Sequence, residues 1–76
     1  MAGIRARISG PTQLGWQIRL ARKRRGLTQA RLAELAGVGT RFVSELERGK
    51  ATARLGLALR IADLAGVDIL ARHREP

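Results

Sequence analysis

Among the residue types that carry out or steer chemistry, this 76-residue chain is rich in one: the cationic side chain. Fifteen Lys and Arg stand against six Asp and Glu, for a formal charge of +9. A surplus of guanidinium and ammonium donors implies a polyanionic partner. Nucleic acid ranks ahead of an anionic membrane surface, because neutralising phosphates releases condensed counterions. Other chemistries lack their parts. There is no cysteine, so disulfides, thiolate nucleophiles and thiolate metal sites are excluded, which fits the cytoplasm. The one histidine, His73, sits among Arg72, Arg74 and Glu75 and reads as a solvated tail residue. With no second histidine and few carboxylates, neither a base-plus-nucleophile pair nor a metal cluster can assemble, so no enzymatic activity, metal or cofactor is expected. No apolar run approaches the roughly 20 residues of a membrane span, and the N-terminus lacks a signal-peptide pattern.

The elements that must hold these cations follow from periodicity and punctuation. Ile4, Ala6 and Ile8 alternate with Gly3, Arg5 and Arg7, compatible with a strand or arm over residues 1–10. Pro11 suits the first turn of a helix running to about Arg25, with Leu14, Ile18 and Ala21 on one face and Gly26 after its end. Trp16, between Leu14 and Ile18, is expected to be partly buried packing. Lys23, Arg24 and Arg25 form a solvated basic run. Thr28 is an N-cap for a short helix, Gln29 to Ala36, covered on one side by Leu32, Ala33 and Leu35; Arg31 stands where a reciprocal capping box needs Glu or Gln. Gly37-Val38-Gly39 makes a sharp turn into a third helix, about Thr40 to Arg48, whose Val43, Leu46 and Glu47 face inward. Arg41, Ser44, Glu45 and Arg48 lie on its other faces, and Gly49 ends it.

A last helix, about Ala53 to Ala65 with Thr52 as cap, is apolar on more than one face, more than one small subunit is expected to cover. The segment Val67-Asp68-Ile69-Leu70-Ala71-Arg72 is β-prone and would leave an open edge unless paired, which makes it a candidate intersubunit strand. The expected architecture is all-α: about four helices in one domain, residues 11–66, followed by a dimerisation strand and short tail, 67–76. Leu57, Leu64, Val67, Ile69 and Leu70 are the expected interface of a homodimer.

The run from Leu27 to Val38 and the run from Thr40 to Lys50, read as "GLTQ…LA…AGV…ERGK", resemble the phage-repressor-like (Xre/Cro) helix-turn-helix family from about Pro11 to Val67. Mechanical reasons accompany the match. Ala33 lets two helices cross closely, Gly37 makes the turn, and Val38, Val43 and Leu46 back the third helix so that its front can enter a groove. Ser9-Gly10-Pro11-Thr12-Gln13-Leu14 and the terminal strand are further similar to HipB-type antitoxin repressors. The resemblance implies a lambda-repressor-like dimer that binds palindromic double-stranded DNA, represses its own operon and binds a HipA-like kinase toxin. With Pro76 soon after the strand, such a toxin is expected to meet the folded body.

By the same resemblance, Thr40, Arg41, Ser44 and Glu45 occupy base-reading positions. Arg41 would suit guanine, and Glu45 a cytosine amino group or simply solvent. Thr28 and Gln29 occupy backbone-contact positions, and Arg48, Lys50 and Arg54 cluster where phosphate contacts belong. Arg22 and Glu47 align with a structural salt bridge. Three departures mean that no relative's DNA site can be transferred: Thr40 and Arg41 replace frequent glutamines, Gly39 replaces a frequent basic residue, and Phe42 replaces a small polar one. Two rival readings stand beside the repressor: an interaction module whose main business is neutralising a toxin, and a non-specific nucleoid or RNA binder drawn by charge.

Overall fold

The computed structural model describes residues 5–76 and contains four helices: α1 Pro11–Arg24, α2 Gln29–Ala36, α3 Thr40–Glu47 and α4 Leu55–Ala65. α2 packs against α3 and α4, and α1 packs against the same two. The buried core draws Ile18 from α1, Leu32, Ala33 and Ala36 from α2, Val43 and Leu46 from α3, and Ala58, Ile61, Ala62 and Ala65 from α4. Eight of those ten are small or β-branched. That choice lets short helices approach closely enough to exclude water.

α1 shows how this approach is achieved. Its buried face is Gly15, Ile18 and Arg22. A Cβ at Gly15 would lie 2.3 Å from the carbonyl oxygen of Leu46 and 2.8 Å from that of Glu47, so the helix rests directly on the last turn of α3. Trp16, one residue and about 100° around the helix from Gly15, falls off that stripe and is 53% exposed. Trp16 is therefore exposed, less covered than the partly buried packing expected of it. Leu35, assigned by pattern to the covered side of α2, is also exposed, because that face is centred on Leu32, Ala33 and Ala36.

Each helix is closed by a left-handed glycine, namely Gly26, Gly37, Gly49 and Gly66. At Gly37, φ is +74°, and Val38 donates back to the Ala33 carbonyl at 3.0 Å, which swings the chain directly into α3. α2 begins as expected, with the Arg31 amide donating to Thr28 Oγ1 at 3.0 Å. α4 does not: Thr52 is in an exposed turn, Arg54 is the extended N-cap, and the helix starts at Leu55. Ala53 is held against the core in the segment before the helix, which postpones the first turn.

Residues 67–76 follow α4 without regular secondary structure, so the terminal strand is absent from the single chain. A ladder needs a second strand, and none of the described residues offers one. Residues 5–9 are likewise irregular and exposed; the part of the alternating pattern at Gly3 and Ile4 lies outside the described residues.

Candidate nucleic-acid interface

α2, the Gly37 turn and α3 form a helix-turn-helix whose second helix is strongly two-faced. Val43, Leu46 and Glu47 are buried, and Phe42 packs at the edge of the core. Thr40 and Arg41 are exposed, and Ser44 and Glu45 are half-buried. An eight-residue helix with so small an apolar stripe cannot fold alone, so the rest of the domain holds it in place.

The strongest anchor is a buried ion pair. Arg22 donates from Nε to Glu47 Oε2 at 2.6 Å and from Nη2 to Oε1 at 3.0 Å, while its Nη1 reaches the Leu27 carbonyl at 2.8 Å. Both side chains are nearly closed to water, and no buried side-chain polar atom lacks a partner among the described residues. Gln29, at the start of α2, donates from Nε2 to the same Oε1 at 3.1 Å. One carboxylate at the end of α3 thus fastens α1 and α2, and Arg22 extends the tie to the loop between them. Arg60 adds a tie that periodicity did not suggest, donating from Nε of α4 to the Ala36 carbonyl at 3.2 Å, across the last turn of α2.

The solvent side of α3 carries a second, exposed cluster. Arg41 Nε donates to Glu45 Oε1 at 2.6 Å, and Lys50 Nζ donates to Glu45 Oε2 at 2.7 Å. The hydrogen bonds from Lys50 and Arg41 lower the Glu45 pKa from its ordinary 4.5 to about 2. Lys50 reaches back because Gly49, at φ +88°, reverses the chain and lets the Lys50 amide bond the Glu45 carbonyl at 3.1 Å. Ser44 accepts from Arg48 one turn on. The front of α3 therefore carries two polar groups, Arg41–Glu45–Lys50 and Ser44–Arg48. Thr40 stands exposed at its start. Thr28 is occupied as a cap, and Arg54 lies exposed at the start of α4 with no ion pair among the described residues. The Arg41–Glu45 contact was available from i,i+4 spacing. The Lys50 contact depends on the turn and was not.

The matching family is Helix-turn-helix, over residues 18–71. The chain is 45% identical over 67 residues to the uncharacterized HTH-type transcriptional regulator y4mF of Sinorhizobium fredii, spanning 86% of this chain and 88% of that protein. In three dimensions it is similar to a HipB variant solved in complex with an O2 20mer, with a TM-score of 0.84, 25% identity, and coverage of 95% of this chain and all of that one. A chain of a HipA–HipB–O2–O3 complex superposes with a TM-score of 0.82 at 24% identity, covering 93% of this chain and all of the other. The chain belongs to the Helix-turn-helix family. It is a DNA-binding transcriptional regulator of that class, with the four-helix fold of HipB.

Proposed function

We propose that the protein is a sequence-specific, homodimeric repressor of the HipB antitoxin type, controlling its own operon and binding a HipA-like kinase toxin. The observation that carries the reading is the front of α3. Arg41 and Glu45, with Thr40 and Ser44, form a mixed donor and acceptor surface where a charge-driven binder would present cations alone. In this reading α3 enters the major groove. Arg41 and its neighbours meet base edges, while Thr28, Gln29, Arg48, Lys50 and Arg54 meet the backbone. Support for the antitoxin role is the likeness to HipB, solved with HipA, across nearly the whole chain.

The test is selection of bound sites from random duplex DNA, followed by titration of the enriched and scrambled duplexes at several salt concentrations. An inverted-repeat consensus and a clear preference for it are expected. Equal affinity for both duplexes would replace this reading with the non-specific binder. The toxin part is tested separately, by co-purification with the product of a neighbouring kinase-like reading frame. If no such partner binds, the protein is a free-standing regulator.

A further inference from the structure

Glu45 is placed to organise the reading face as well as to line it. Its two carboxylate oxygens are each engaged, Oε1 by Arg41 and Oε2 by Lys50, and its side chain is only 19% exposed while that of Arg41 is 90% exposed. Arg41 uses Nε for this contact. A guanidinium has five N–H donors, so the two terminal nitrogens remain free, and these form the end-on fork that matches guanine O6 and N7. Lys50 likewise spends one of its three donors and keeps two for a phosphate oxygen. The carboxylate also reduces the charge of this three-residue group from +2 to +1, directly where a sliding protein would meet phosphates.

We infer that Glu45 is a specificity-determining positioning residue: it aims the Arg41 fork at a guanine and restrains Lys50, so that affinity is concentrated on cognate DNA and withheld from other sequences. The inference rests on the proposal that α3 reads base pairs. Two effects combine. A long, exposed arginine held in its binding orientation loses less conformational freedom on docking. A negative charge between two cations weakens the sequence-independent attraction that dominates non-specific binding. A carboxylate on a DNA-facing helix, which repels phosphates when considered alone, thereby gains a reason to be present.

The experiment titrates wild type, Glu45→Ala, Glu45→Gln, Arg41→Ala and the Glu45→Ala/Arg41→Ala double variant. The probes are the duplex enriched from random DNA, its single-base-pair variants and a scrambled duplex, with circular dichroism establishing that each variant is folded. Glu45→Ala is expected to bind the enriched duplex about tenfold more weakly and the scrambled duplex more tightly, with a steeper salt dependence. Glu45→Gln, which keeps an acceptor for Arg41 and loses the charge, should retain more of the enriched-site affinity yet show the same gain on scrambled DNA. The base preference lost in Glu45→Ala should be the one lost in Arg41→Ala, and the double variant should lose nothing further. A distinct preference that Glu45→Ala removes even without Arg41 would make Glu45 a direct base reader and overturn the inference. So would equal changes on both duplexes. Wild type that fails to discriminate at all would instead sink the specific-repressor reading beneath it.

Discussion

Arg22 and Glu47 exchange two hydrogen bonds in a site closed to solvent, and Gln29 adds a third to the same carboxylate. Such a pair is weak evidence of net stability, but removing one member strands the other's charge. Arg22→Ala is expected to lower stability by about 3–5 kcal/mol, read as a shift in denaturant midpoint; a loss within about 0.5 kcal/mol, the range of ordinary surface changes, would show that water reaches Glu47. The carboxylate on the front of α3 behaves differently. Because hydrogen bonds from Lys50 and Arg41 depress its pKa from 4.5 to about 2, Glu45 stays ionised through the physiological range. The sign follows from the depressed value: the contribution of these contacts is complete above pH 4.5, and it is lost as pH falls through about 2. An NMR titration of the Glu45 carboxyl should show that low midpoint, moving back toward 4.5 in Lys50→Ala. On DNA, Arg41→Ala should cost about 1–3 kcal/mol on the enriched duplex and flatten preference at one base pair. Arg54→Ala should weaken all duplexes alike and reduce the salt slope by about one.

At the scale of elements, the contact between α1 and α3 is limited by backbone. Ordinarily Gly→Ala inside a helix stabilises by roughly 0.5–1 kcal/mol. Gly15 reverses that sign, since its added Cβ would sit 2.3 Å from the Leu46 carbonyl oxygen, a main-chain atom that cannot rotate away. Gly15→Ala should therefore destabilise by about 1–3 kcal/mol, the usual range for overpacking. Gly56, on α4, faces open space. Gly56→Ala should be neutral or stabilising by up to about 1 kcal/mol. Thermal or denaturant unfolding of the two variants decides the matter, and equal effects would mean that α1 can shift off α3 without loss. The displacement would be felt at the reading face as well, because Glu47, whose carbonyl Gly15 approaches, closes the same helix that carries Arg41 and Glu45.

At the scale of the molecule, α4 carries both buried and exposed apolar residues. Ala58, Ile61, Ala62 and Ala65 bury one side within the single chain. Leu55 and Leu59 remain exposed, as do Ile69 and Leu70 in the segment that follows. Leu57, Leu64 and Val67, expected at a subunit interface, are half-buried, with Leu64 and Val67 packed against the core of their own chain. We propose that the exposed set meets its counterpart in a second copy and that residues 67–72 gain there the strand pairing that the single chain cannot supply. Light scattering at micromolar concentration should report a dimer, and Ile69→Asp should shift it toward monomer while weakening DNA binding. Two recognition helices on one face of DNA would set half-site centres about 34–36 Å apart. Selected sites without an inverted repeat at that spacing would contradict this arrangement.

Local signals were sufficient for the helix-turn-helix itself. Thr28 caps α2, Gly37 forces the turn, and Val43 and Leu46 mark the back of α3, because caps, left-handed glycines and 3.6-residue periodicity act over a few residues and are written in order along the chain. The family resemblance paired Arg22 with Glu47, and the fold joins them across 25 positions. What sequence order could not supply depends on atoms brought together from distant or reversed segments. Trp16 faces solvent because Gly15 selects the face of α1 that rests on α3. α4 starts late because the core holds Ala53 in front of it. Lys50 reaches Glu45 only after the Gly49 reversal, and residues 67–76 form no strand within the single chain. Sequence by itself determined that four helices form in this order and which residues line the front of α3. Tertiary structure alone decided how closely those elements approach and which charges touch, since steric limits between backbones and the reach of a side chain are properties of three-dimensional placement.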